Sequence, residues 1–150
     1  MAKVYLALYK GRKSGKGVKV WAARFVDWVI RKATRSPYSH CEIAVKYPAA
    51  AWFHCYSASG RDGGVRAKAM TLPSDKWDLI ELQPSVADSA RRLYQLHHGA
   101  GYDWRGALGT LFSWIGHNRR RWFCSEFCAR AMQMPSAHSW TPAGLSRFWC

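Results

Sequence analysis

A chain of 150 residues with a formal net charge of +14 and 15% aromatic side chains reads as one domain, residues 1–150, long enough to bury a core. It is too rich in Trp, Tyr and Phe for disorder. No apolar run approaches the ~20 residues of a membrane span. The N-terminal apolar stretch is too short for a signal peptide and lacks a cleavage site, so synthesis into a reducing cytoplasm is expected. The charge favours an anionic partner, whether nucleic acid, acidic membrane surface or cell-wall polymer.

Residues 3–9 alternate as a first strand, and Gly11 to Gly17 form a basic turn or loop. From Val18 to Ala33 the residues Val18, Trp21, Ala22, Phe25, Val29 and Ile30 recur at helical spacing, with Arg24, Asp27 and Arg31 on the other face. Pro37 ends that helix. Strands are predicted over about 39–46, 51–57, 65–70 and 77–82, broken by Tyr47-Pro48, by Ser59 to Gly64 and by Pro84.

The second half is helical. Val86, Ala90, Leu93, Tyr94 and His97 define a helix that ends near Gly99. Asp103 is placed to cap a helix running through Trp104, Leu108, Leu111, Phe112 and Ile115 to Gly116. A cysteine helix is predicted over about 124–133. Thr141-Pro142 is placed as N-cap and first residue of a last helix through Phe148. The expected class is α+β: an antiparallel sheet of about four to six strands packed with helices.

Five cysteines, at 41, 55, 124, 128 and 150, are an odd number without the spacing of a disulfide framework. A zinc site drawn from these and His40 or His54 has one close pair only, Cys124 and Cys128. Strand alternation also turns Cys41 and Cys55 away from the neighbouring histidines. Cys41, Cys55 and Cys128 therefore read as small buried apolar residues, and no metal or cofactor is expected. Cys124 differs because it opens a helix, where free N–H groups and the dipole favour a thiolate. His40 stands at the mouth of a strand behind Ser36-Pro37-Tyr38-Ser39. A helix-start cysteine and a strand-start histidine suggest a Cys/His hydrolytic site. Its competitor is a purely structural Cys124 on the apolar face formed by residues 124, 127, 128, 131 and 132. His97, His98 and His117 read as surface residues. Trp104, Trp114, Trp122 and Trp140 are divided between a cleft and the core.

Ser36-Pro37-Tyr38-Ser39-His40 and the Phe123-Cys124-Ser125-Glu126 helix start, with the Ser59 to Val65 turn and Gly101-Tyr102-Asp103-Trp104, resemble the circularly permuted papain-like amidases of the NlpC superfamily. The likeness covers roughly residues 3–145, and small phage- and prophage-encoded members look most similar. The histidine precedes the cysteine, as in the permuted group. The resemblance implies Cys124 as nucleophile and His40 as general base. A third residue, from the strand after the histidine strand, would orient the imidazole. His54 occupies about that place, with Glu42 as the alternative, and Glu126 reads as a helix first-turn acid or salt-bridge partner. The Cys124 N–H would bind the oxyanion, with a second donor from Tyr5 or Tyr38. The implied substrate is an amide, peptidoglycan stem peptide or isopeptide. A thioester or lipid ester is the other possibility, because the superfamily includes acyltransferases. The alternative reading is a basic binding protein of the same fold without turnover, for nucleic acid, an anionic polymer or a virion.

Overall fold

The apolar-polar alternation of the first half builds one sheet. The structure, a computed structural model, describes residues 1–150 except Ser113, His117 and Cys150. Strands β1 (Lys3–Tyr9), β2 (His40–Lys46), β3 (Phe53–Ser59), β4 (Gly64–Met70) and β5 (Trp77–Leu82) lie in the order β4-β3-β2-β1-β5. Every neighbouring pair is antiparallel. The class is the expected α+β.

One face of the sheet presents Val4, Leu6 and Leu8 of β1 with Cys41, Ile43 and Val45 of β2. Against it pack helix α2 (Ser85–His97) and helix α4 (Cys124–Ala131), which contributes Phe127, Cys128 and Ala131. The opposite face carries Ala7, Ala44, Cys55 and Leu72, flanked by Tyr5, Phe53 and Trp77. Strand β2 is central, so Cys41 to Val45 are buried on both faces. Helix α5 (Pro142–Trp149) starts as expected, with Thr141 Oγ1 accepting from Gly144 N at 2.9 Å.

Helix α3 is shorter than its hydrophobic pattern predicts. It spans Trp104–Gly109 instead of reaching Ile115. Gly106 and Gly109 weaken it, and after Thr110 the chain doubles back: a Cβ on Gly109 would lie 2.5 Å from the Ile115 carbonyl oxygen. Ser113, inside the predicted span, lies outside the described residues.

Helix α1 (Val18–Thr34) has the predicted period but turns its faces the unusual way round. An amphipathic surface helix ordinarily points its apolar stripe at the core. Here Asp27 is 5% exposed and bonds Lys13 Nζ at 2.9 Å. Arg24 Nε donates to the Lys13 carbonyl, and Arg31 donates to the Gly11 carbonyl and to Ser39 Oγ. The preceding basic loop thus holds the polar side inward. Val18, Trp21, Phe25 and Trp28 face solvent, 85%, 71%, 54% and 56% exposed.

Candidate active site

Helix α4 places Cys124. Phe123 is extended (φ −123°, ψ 164°) and Cys124 is the first helical residue. Three residues after Phe123, the Glu126 carboxylate accepts a hydrogen bond from the Phe123 N–H, the reach-back that fixes a helix start. Ser125 Oγ donates to the Trp140 carbonyl at 2.6 Å. Residues 124–129 are all buried, so the cysteine sits on a rigid element.

A second segment is tied to the same helix start. Asp103 Oδ1 accepts from Gly106 N at 3.0 Å, capping α3, and Oδ2 accepts from Asn118 N at 2.7 Å. Asp103 N donates to the Trp122 carbonyl, and Trp122 N donates to Gly101 O. These bonds set Tyr102 beside Trp122, two residues before the cysteine. Gly64 makes room for this loop: its φ is +139°, and a Cβ there would lie 1.8 Å from the Ala100 carbonyl oxygen.

Strand β2 supplies the partner. His40 opens it opposite Tyr9, and the ring of Trp77 on β5 stands edge-on to the imidazole. His40 Nε2 and Glu42 Oε1 are 2.7 Å apart, with side chains 17% and 1% exposed. Two residues apart on a strand, both point to one face. Glu42 in turn takes a forked bond from Arg66 of β4, Nη1 to Oε2 at 2.6 Å and Nη2 to Oε1. Arg66 reaches across β3 over Ser57, its small buried partner in the ladder. With Nε2 engaged by Glu42, Nδ1 of His40 is left for the Cys124 thiol, to which the ring is hydrogen-bonded.

The charges follow from these contacts. For Glu42, burial favours the neutral acid, but the Arg66 and His40 hydrogen bonds outweigh it and lower the pKa to about 2. For His40, burial favours the neutral ring, yet the Cys124 thiolate and the Glu42 carboxylate raise its pKa to about 9. The Cys124 thiol is held well below its ordinary value, first by a hydrogen bond from the Cys41 thiol and then, against burial, by the His40 cation and the Cys41 backbone N–H. Burial and the neighbouring thiolate push the Cys41 thiol and the Tyr102 hydroxyl up, so both remain proton donors toward Cys124. Such a centre can hold a thiolate–imidazolium pair at neutral pH.

His40, Glu42, Arg66, Tyr102, Trp77 and Trp104 line a cavity of about 360 Å³ between the sheet and α1. Cys124 meets this cavity through His40 and Tyr102. Trp104 is its half-open wall, packed so closely on Gly60 that a Cβ there would overlap the indole.

Three sequence expectations need correction. His54 does not approach His40. It pairs with Val45, five positions along β2, and packs edge-on to Tyr47 as an exposed residue. That is about 16 Å at the rise of a strand, on the opposite face of β2. Tyr5 is paired with Ala44, about 13 Å from the histidine end, and its ring meets Phe53. The Tyr38 hydroxyl donates to Asp78 Oδ2 at 2.6 Å. The hydroxyl that contacts Cys124 is that of Tyr102. Neither Tyr102 nor Arg66 stands out in the sequence as a site residue, and the segment Gly101 to Trp104 carries the signal for the first.

Cys41, Cys55 and Cys128 are buried, as expected of small apolar side chains. Glu126 is both a first-turn acid and the partner of Arg130, at 3.3 Å. His97 packs on Trp122 and is half-buried, while His98 is exposed; His117 lies outside the described residues. Among the described residues no three His, Cys, Asp or Glu side chains are grouped to hold a metal ion, and no helix is long and apolar enough to cross a membrane. Comparison with protein-family models, curated proteins and solved structures gives no match.

Proposed function

We propose that this chain is a cysteine hydrolase of the permuted papain-like, NlpC-superfamily kind, acting by acyl transfer through Cys124, His40 and Glu42. The observation that carries the reading is the helix-start thiol of Cys124 hydrogen-bonded to an imidazole whose far nitrogen meets a buried carboxylate. The three groups have the donor and acceptor order of a nucleophile, a base and an orienting acid.

In this mechanism the Cys124 thiolate adds to a carbonyl carbon and the π electrons move to oxygen. The resulting oxyanion takes hydrogen bonds from the Cys124 N–H and from the Tyr102 hydroxyl. The His40 imidazolium passes its proton to the departing amine or alkoxide as that bond breaks, leaving a thioester on Cys124. Neutral His40 then takes a proton from water, whose oxygen attacks the thioester, and the thiolate leaves. Glu42 holds the ring in one orientation and stabilises its charge, and Arg66 keeps Glu42 ionised. An amide, in a peptidoglycan stem peptide or an isopeptide, is the substrate class the resemblance favours, with esters and thioesters open to the same chemistry.

The reading as a basic binding protein without turnover rests on the charge of +14 and on His54 as a third residue without a carboxylate. Glu42 beside His40 removes the second of these grounds. The test is an intact-mass measurement after mixing with an activated ester. A thioester adduct should form on Cys124 and be absent in Cys124→Ala, while Cys41→Ala and Cys128→Ala keep it. Equal turnover by the folded Cys124→Ala protein would sink the mechanism.

A further inference from the structure

The outward apolar face of α1 has no use in the chemistry above. Trp21 and Phe25 lie nearly parallel, 10° between rings at 6.5 Å, and Phe25 and Trp28 stack at 6.0 Å and 25°. With Val18 they form a continuous stripe along one side of the helix, at positions i, i+3, i+7 and i+10. The side facing the protein carries Val20, Ala23, Val26 and Ile30 with the polar Arg24, Asp27 and Arg31, and the polar three fasten it. The helix therefore cannot bury its stripe by rolling over without breaking those bonds.

The segment that carries the stripe is basic. Arg12, Lys16, Lys19, Lys32 and Arg35 are exposed and make no ion pair among the described residues. The one acid between residues 10 and 36 is Asp27, which is turned inward. An aromatic-aliphatic stripe on a segment with unpaired Lys and Arg matches the surface of an anionic bilayer. Indole and phenyl rings enter the headgroup–acyl boundary and the cations meet lipid phosphates. A second copy of this chain would bring two such cationic segments together, against their repulsion. A nucleic acid would meet the cations yet leave the aliphatic part of the stripe wet.

We infer that α1 docks on an anionic phospholipid surface, inserting Trp21, Phe25 and Trp28 with Lys32 and the flanking Lys16 at the headgroups. The inference stands whether or not Cys124 turns over substrate. The same helix is a wall of the catalytic cavity, through Ala23 and Val26, so docking also sets that cavity beside the lipid.

Flotation of the full chain with vesicles tests this, using phosphatidylcholine alone and phosphatidylcholine with phosphatidylglycerol. The protein should float with the anionic vesicles and at least tenfold less with the neutral ones. A Trp21→Ser, Phe25→Ser, Trp28→Ser variant should lose at least tenfold of the anionic-vesicle binding, because each ring contributes roughly a factor of ten when buried. Should that variant misfold, quenching by lipids brominated in the acyl chains reads the same point. Wild-type tryptophan emission should be quenched, and less so in Trp21→Phe, Trp28→Phe. No flotation, or equal flotation of the serine variant, overturns the inference. So does a wild-type dimer that the serine variant makes monomeric without vesicle binding. Retention of nucleic acid that depends on the three aromatics, again without vesicle binding, overturns it too.

Discussion

Glu42 and His54 show what decides the partner of His40 at the scale of single residues. Both are polar residues near the histidine strand. Glu42 shares the face of His40 two positions on, and His54 faces the other way at the far end. Glu42→Gln should slow acylation of Cys124 by roughly 10²–10⁴-fold, the range seen when an orienting carboxylate is replaced by an amide. It should also shift the alkaline limb of the acylation profile, set by His40 near pH 9, toward acid. The same change leaves Arg66 with Asp62 as its one carboxylate partner, on Nε at 2.9 Å, at a cost of about 1–3 kcal/mol in stability, so rate and melting temperature must be read together. His54→Ala should leave the rate within twofold and stability within about 0.5 kcal/mol, as for an exposed residue. Loss of acylation in His54→Ala with Glu42→Gln unaffected would reverse the assignment. His40 and Cys124 were legible in the sequence because each stands in a local signal, a Ser-Pro-Tyr-Ser turn before a strand and an aromatic run before a helix. Arg66 was not legible. Its bond to Glu42 crosses an intervening strand over Ser57, and only the register of three strands reveals that.

Elements were legible by period and less so by orientation. Strand β5 and helix α1 lie within a residue of where their patterns place them. Period alone gives a helix two faces without saying which one is inside. The bonds of Asp27 and Arg31 to Lys13, Gly11 and Ser39 decide that for α1, and the first two partners lie in a loop with no pattern of its own. Helix α4 carries a different tension. Burial raises the Glu126 pKa to about 7 against the pull of Arg130, and its Oε2 has no hydrogen-bond partner among the described residues. A carboxyl raised above its unfolded value stabilises the fold fully below about pH 4.5 and loses that contribution as pH rises through 7. Glu126→Gln should therefore raise the melting temperature at pH 8 relative to wild type, with a smaller difference at pH 5. An equal difference at the two pH values would place the carboxylate in solvent contact.

For the whole molecule, the charge of +14 sits on a protein whose acids are largely engaged internally. Asp27, Glu42, Asp62, Asp78 and Glu126 each face a cationic side chain, and Asp103 caps a helix. Protonating Glu42, Asp62 and Asp78, whose pKa values their cationic partners hold down, should both break these bonds and increase self-repulsion. The pH dependence of stability then tests the site as well as the fold. Glu42, lowered to about 2, contributes stability above pH 4.5 that is lost as pH falls toward 2. His40, raised to about 9, alone would make stability fall as pH rises from 6.5 to 9. Cys124, lowered well below 9, alone would make stability rise over that same window. Between pH 6.5 and 9 the folded pair and the unfolded chain each hold one proton, so the two slopes cancel. Wild-type melting temperature should be level across that window and fall steeply below pH 4.5. In Cys124→Ser the thiolate that does most to raise the His40 pKa is gone and burial then favours the neutral ring, so its melting temperature should stay level from pH 6.5 to 9 while the ring loses its charge. The His40 ring resonances should report a charged imidazole at pH 8 in the wild type and a neutral one in Cys124→Ser; a neutral ring in both would mean that Cys124 and His40 are neutral together, and the thiolate mechanism would fall with them.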